Sequence, residues 1–416
     1  MGDSKVAILS GIRVLDMGRV LAAPLATQAL ADMGAEVLKI ERPYVGSDER
    51  RYGPHFLKDA EGRRTLESAF HFAGNRGKKS VAIDIGVEEG RNLVRQLAKR
   101  VDVFVENFIP GKAKRLGLGF EELSRDNPRL IYCSISGYGH TGPYSDRPGY
   151  DPIFQAQSGL MSVTGIPDGE PGGMPMRTGP SLVDVATGQN AALAIVSALY
   201  YRDTVSGRGQ HIDLALFDTA IAMQSHLVAD YLISGEQPAR RGTGGFGGYP
   251  ANAFRCLDGL LYVSAGQDTF FRDLCMVLGC PEIVDDPRFA TITMRGDYRD
   301  EIDKVILPLF ARRMKQELME ELIRVRVPCT TIKEYREVFT DPHVIERGVA
   351  VEIPHPIAAS GKLTTVANPI RFSETPIVHD RGWPLLAEHT ESVLKDVMGF
   401  DPEEIAILRK NGVISS

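Results

Sequence analysis

The stretch "GIRVLDMGRVLAAPLATQALADMGAEVLKIER", residues 11–42, decides how the chain folds. "GIRVLDM" (11–17) is a short apolar run with β-branched members, which suits a buried strand. "PLATQALADMGA" (24–35) reads as a helix ending at Gly34, a residue type suited to a helix end. "EVLKIER" (36–42) is a second strand. Strand, helix and strand in so short a span predict a βαβ unit, the opening of a parallel sheet covered on both faces. The pattern recurs in "SVAIDI" (80–85), the helix "GRNLVRQLAKR" (90–100), "VDVFVEN" (101–107) and "RLIYCSIS" (129–136). Residues 1 to about 140 therefore read as a Rossmann-like layer.

Working outward, "SGYGHTGPYSDRPGYD" (136–151) breaks the alternation and reads as a site-forming loop. A helix is expected over 187–202, then a turn "SGRGQ" (206–210), a strand "HIDLALF" (211–217) and another helix. "SGEQPARRGTGGFGGYP" (234–250) is the most glycine-dense part of the chain, and a smaller α/β segment is expected from about 251 to 329. The tail returns to strand and helix, including "EHTESVLKDVMG" (388–399).

With 416 residues the chain is long enough for two or three domains, and 43% hydrophobic with 25% charged residues is an ordinary soluble composition. A net charge of −6 argues against nucleic acid or an anionic membrane as partner, so an anionic ligand must be held by locally placed Arg and Lys. The five cysteines, Cys133, Cys256, Cys275, Cys280 and Cys329, form no C-x-x-C pair. A disulfide framework or zinc site is not expected, and a reducing cytosol fits. No signal-peptide pattern and no run near 18 apolar residues is seen, so the expectation is a soluble cytoplasmic protein.

The first βα turn, "DMGRVLAAP" (16–24), has only Gly18 where a nicotinamide-binding turn needs G-x-G-x-x-G, which disfavours a dinucleotide oxidoreductase. Arg42, at the end of the second strand, suits a ribose phosphate or is a solvated surface residue. "NRGKKS" (75–80), with Arg76, Lys78 and Lys79, and "ENFIPGKAKRLGLG" (106–119), with Asn107, Lys112, Lys114 and Arg115, are basic spots at βα turns. They suit either a polyphosphate or a salt-solvated rim. Asp184, between Val183 and Val185 after a Gly-Pro turn, is either a helix N-cap or a rigid carboxylate able to attack an acyl carbon. A cap position would favour its ionised form. The run 242–248 is a hinge or a mobile cover. His140 and His211 have no recognisable partner, and no metal motif is present.

Together these motifs resemble the class III CoA-transferases, the family of formyl-CoA transferase and the CaiB and BaiF proteins. The resemblance runs through nearly the whole chain, by "GIRVLDMGRVLAAPLATQALADMGAEVLKIERP", "NRGKKSVAIDI", "VFVENFIPGKAKRLGLG", "YCSISGYGHTGPYSDRPGYD", "SGRGQHIDLALFD" and "LLAEHT". It implies that Asp184 is the nucleophile. It also implies that Val20, Ala22, Arg42, Asn107, Arg115 and Leu116 contact CoA, and that Tyr138 lies near the acyl end. The glycine-rich loop with Gly244, Gly245, Gly247 and Gly248 would cover the site. No cofactor is permanently bound; coenzyme A and acyl-CoA are substrates, with a small carboxylic acid as partner.

The implied fold is α/β: a Rossmann-like large domain, discontinuous over 1–225 and 330–416, and a small domain over 226–329, in an interlocked homodimer. Leu21 and Ser136 stand where formyl-CoA transferase has Gln and Lys, so its substrates do not carry over. Around Asp184 and "HLVADYLISGEQPARRGT" the chain looks most similar to transferases using succinyl-CoA and dicarboxylates. The racemases of the same fold use a His in a G-H-D triplet, where this chain has Gly149-Tyr150-Asp151, and a neutral Tyr is a poor proton shuttle at pH 7. A racemase, and a catalytically silent CoA- or NADP-binding protein, are the alternatives.

Overall fold

The computed structural model describes residues 6–246 and 248–415. Six parallel strands form its main sheet: β1 (Arg13–Asp16), β2 (Glu36–Glu41), β3 (Lys79–Ala82), β4 (Val103–Glu106), β5 (Ile131–Ser136) and β6 (His211–Ala215). Their spatial order is β6-β5-β4-β1-β2-β3. That is the doubly wound order, in which the chain first builds outward on one side of β1 and then crosses to the other. The reversal opens a crevice between the carboxyl ends of β1 and β4, the place where such sheets bind ligands.

Side chains alternate between the two faces of each strand. Val14, Val37, Val103, Ile131 and Cys133 pack on one face, under α1 (Ala22–Asp32). Leu15, Leu38, Val81, Phe104 and Tyr132 pack on the other, with Leu93, Val94 and Leu97 of α2 (Glu88–Ala98). The expected strands and helices are found within a few residues of their predicted limits. "HIDLALF" is strand only to Ala215, where a helix begins at Leu216. The tail lies along the outer edge of β3: the Ala82 N–H donates to Thr390 Oγ1 at 3.0 Å, and Asp84 N–H to Val413 O at 2.8 Å.

Two further elements position the site. The helix α3 (Asp151–Gln157) follows the Gly/Pro loop, and α4 (Leu182–Tyr201) begins five residues before the expected start at 187. Val183, Thr187, Gly188, Ala191, Ile195 and Ala198 form the buried stripe of α4. Gly188 lets α4 approach α1: a Cβ there would sit 2.8 Å from the Ala22 carbonyl oxygen and 3.0 Å from Leu25 Cβ. The span Leu182–Ser206 has mean hydropathy 1.4 and is long and apolar enough, by length and composition, to cross a membrane. Thr187, Gln189, Asn190 and Ser197 interrupt it, so no unbroken apolar run announced it.

The chain divides into two compact units. The first comprises 1–161, 177–238 and 345–416 and contains the main sheet. The second comprises 162–176 and 239–344. It is built on the antiparallel strands Ala251–Cys256, Gly259–Ser264 and Cys329–Thr331, with Phe254 stacked on Phe310 at 4.4 Å in its core. Its glycine-rich segment is held at both ends. Gly242 N–H donates to Gly165 O at 3.0 Å, and the buried Arg295 donates to Tyr249 O at 3.2 Å. Gly245 N–H donates to Ala251 O, Gly244 N–H to Arg241 O, and Gly248 has φ 109°, which favours glycine. Gly247 lies outside the described residues.

Candidate active site

At the crevice between β1 and β4 lies a cavity of about 300 Å³. It is lined by Arg19, Val20, Leu21 and Ala22 from the first turn, Asn107 to Pro110 after β4, Arg147 to Tyr150 from the Gly/Pro loop, and Asp184. Val20, Ala22, Asn107 and Asp184, far apart in sequence, thus share one wall. Arg19 and Phe108 also line a second cavity of about 240 Å³, with Arg42, Ile83 and Lys112. The two cavities therefore adjoin at Arg19 and Phe108.

The Arg42 end is cationic. Asp48 receives three guanidiniums: Arg42 at 2.5 Å, Arg51 at 2.9 Å and Arg19 at 3.4 Å. Burial opposes ionisation of Asp48, but Arg19 and Arg42 hold its carboxyl below the usual range. Three cations on one anion leave a net positive site beside Lys112, which stands 5.0 Å over the Phe108 ring. Such a cluster suits a polyphosphate. The stretch 75–80 is not part of it. Arg76 makes a two-pronged ion pair with Asp32, Lys78 is buried on Asp16 at 2.9 Å, and Lys79 pairs with Glu36. Arg76 and Lys78 are spent inside the fold and Lys79 on a part-exposed pair, which overturns the phosphate reading of that stretch.

At the other end, Asp184 is half-buried in the first turn of α4. It is not the cap. The cap comes from Asp151, 33 residues earlier, whose Oδ2 accepts from Val183 N–H at 2.8 Å and Asp184 N–H at 3.2 Å. Gln155, fully buried on α3, donates to the other Asp151 oxygen at 2.5 Å and accepts from Thr178 N–H at 2.9 Å. This ties the Gly-Pro turn before α4 to α3 and fixes the Asp184 backbone. Among the described residues no ion pair is formed by either carboxylate. Burial, and then the Asp151 charge, push the Asp184 carboxyl up to about 7. The shift is upward, contrary to the expectation that a cap-like position would favour the charge.

The remaining expected contacts sit as follows. Arg115 ends a one-turn helix (Lys112–Arg115) and is exposed, and Leu116 packs partly buried against the core beneath it. Tyr138 lies in an aromatic cluster with Tyr144, Phe154 and Phe217, its hydroxyl donating to Gln157 at 2.6 Å. The cavity wall there is Gly137 and Phe154. His211 does have a partner, Ser134 Oγ at 2.9 Å. Asn107 gives both ends of its amide to the Arg19 backbone, accepting from N–H at 2.9 Å and donating to the carbonyl at 2.7 Å.

Two participants were missed in the sequence. Asp151 is the first residue of its own helix, whose cap position is Tyr150, and it caps the start of α4 instead, a pairing that no local signal announces. Lys39 is a charge in the middle of an apolar strand, and such a residue is rarely buried unless paired.

The family model of CoA-transferase family III matches residues 9–390. A succinate–glutarate CoA-transferase of Agrobacterium fabrum is 42% identical over 390 residues, covering 94% of this chain and 95% of its own. The succinyl-CoA:glutarate CoA-transferase of Homo sapiens is 37% identical over 406 residues, covering 98% of this chain and 90% of its own. Among solved structures, a CaiB/BaiF family protein from Brucella suis superposes with a TM-score of 0.82 at 37% identity, over 94% of this chain and all of that one.

Proposed function

The chain belongs to CoA-transferase family III and is a CoA-transferase; from that premise we propose that it moves CoA from succinyl-CoA, or a similar donor, to a dicarboxylic acid through intermediates held on Asp184. The observation that carries the mechanism is the unpaired Asp184 carboxyl in one of two adjoining cavities, the other of which is cationic. The dicarboxylate class rests on the relatives, whose names give succinate and glutarate as substrates.

On this reading the phosphates of the donor lie toward Arg19, Arg42 and Lys112, and its thioester reaches Asp184. Val20, Ala22, Asn107, Arg115, Leu116 and Tyr138 are assigned to the CoA site by the resemblance. The ionised Asp184 oxygen attacks the thioester carbonyl, the C–S bond breaks, and CoA leaves as thiolate from a mixed anhydride. The thiolate attacks the aspartyl carbonyl of that anhydride, releasing the donor acid and leaving an aspartyl-CoA thioester. The acceptor carboxylate attacks this thioester, forming a second anhydride and thiolate. Attack of the thiolate on the acceptor carbonyl gives the new acyl-CoA and restores the Asp184 carboxylate. Acylation removes a charge from beside Asp151, so the covalent states relieve a like-charge contact that the resting enzyme bears.

We assign the enzyme to the cytoplasm and to an interlocked homodimer. Leu193, Tyr200, Tyr201 and Val205 stand exposed along and just beyond α4, and Leu232 and Ile233 elsewhere in the first unit, an apolar surface that a second copy would cover. The glycine-rich segment 242–248 is assigned to cover the site during turnover.

The decisive experiment incubates the protein with succinyl-CoA and a panel of mono- and dicarboxylic acids, with new CoA thioesters read by mass spectrometry. New thioesters of dicarboxylic acids support the proposal. Deuterium wash-in at the acyl α-carbon without acceptor would instead make it a racemase.

A further inference from the structure

The turn between β1 and α1 is held in a conformation its sequence does not favour. Val20 has φ 68°, the left-handed region, which a β-branched side chain resists. Buried and half-buried side chains take the backbone groups in succession. Asp16 accepts from Gly18 N–H at 2.7 Å, Lys39 donates to Gly18 O at 2.8 Å, and Asn107 clasps Arg19. The last of them is Glu49, whose Oε2 accepts from Val20 N–H at 3.1 Å.

Glu49 comes from a separate segment, the one-turn helix Asp48–Arg51, and is fully buried. Its other oxygen is ion-paired with Lys39 at 2.9 Å, and neither side chain is exposed. A buried ion pair is a poor source of stability, because desolvation cancels much of the attraction. It is a good source of definite geometry when one partner reaches a strained group. Neighbouring residues of the same turn point to that use: Asp48 lines the cleft, while Arg50 anchors the turn on Glu41 at 2.8 Å and Glu67 at 2.7 Å.

We infer that Glu49, oriented by Lys39, is a positioning residue that holds Val20 left-handed and so shapes the wall of the acyl-CoA cleft. This rests on the reading that the cleft between Arg42 and Asp184 takes acyl-CoA. Without the Glu49 acceptor, Val20 relaxes toward negative φ, and Arg19 and Leu21 on either side turn with it.

Binding of CoA by titration calorimetry tests this apart from turnover. Glu49→Ala is expected to weaken CoA about tenfold and to raise KM for acyl-CoA more than it lowers kcat. Adding Val20→Gly in that background is expected to recover most of the loss relative to Val20→Gly alone, the reference that removes any contact of the Val20 side chain with CoA, since glycine tolerates φ 68° without the acceptor. A merely structural Glu49 would not be rescued this way, because Val20→Gly does nothing for the stranded Lys39. Should Glu49→Ala not fold, Lys39→Met/Glu49→Met removes both charges and also the Lys39 hold on Gly18, so there the recovery on adding Val20→Gly, not the initial loss, is the readout. Wild-type affinity in the folded single variant, or no recovery on adding Val20→Gly, overturns the inference. A wild-type protein that binds no CoA fails at the functional reading itself.

Discussion

Two sets of buried carboxylates lie at the carboxyl edge of the same sheet, and they differ in what faces them. Beneath the first turn, Asp16 is answered by Lys78, Glu49 by Lys39, and Glu41 by Arg50. Burial alone would raise the Asp16 pKa, but Lys78 and Lys39 more than offset it and hold the carboxyl below its ordinary value. Glu67, which shares Arg50 with Glu41, is pushed up to about 7, chiefly by its burial. At the start of α4, Asp184 faces another carboxylate and is likewise pushed to about 7. Burial therefore does not by itself make a reactive acid. The paired carboxylates hold the turn, and the pair left without a cation is the one to which the proposed mechanism gives the chemistry.

The largest effect should come from the unpaired set. Asp184→Ala is expected to lower transfer by about 10⁴-fold or more, while CoA binding survives. Retained turnover in a thioester assay would break the comparison, since the uncompensated carboxylate would then be idle. The paired set should respond in stability instead. Lys78→Met breaks the buried Asp16 ion pair, leaving only the more distant Lys39 charge, and is expected to cost about 3–5 kcal/mol in urea unfolding; a cost near that of a surface substitution would show that the pairing there is dispensable.

A smaller effect sharpens the contrast further. On the proposed mechanism the attacking species is the carboxylate, which forms above its pKa, so kcat/KM should rise with pH through about 7. Asp151→Asn keeps an oxygen to cap α4 but removes the charge that raises Asp184. The acid limb should move down by about one pH unit, making the variant the faster enzyme near pH 6. An unmoved limb would assign the raised pKa to burial alone.

The sequence was most legible where one residue's neighbours along the chain decide its state. The βαβ opening, α2 and the strands 103–106 and 131–136 follow from apolar periodicity and a glycine stop. The site was legible by resemblance and only partly by chemistry. Asp184 looked like a cap because capping is a local habit, yet the cap arrives from Asp151 across the fold. The basic stretch 75–80 looked like a phosphate rim because charge is visible in a sequence, whereas the acids that absorb it, Asp16, Asp32 and Glu36, belong to other elements. Lys39 and Glu49 lie on separate elements, and nothing local announces that they meet beneath Val20.

The contact at Gly188 has a consequence for the history of such enzymes. With no side chain between them, α1 and α4 sit back to back. The turn that would seat the thioester and the residue that would attack it are thereby mounted on one rigid frame. The Arg147–Tyr150 loop that completes the cavity belongs to neither helix. If the proposed site holds, mutation can retailor that loop without realigning the residues that would carry nucleophile and CoA. A lineage can therefore diversify its acids while inheriting its reaction intact.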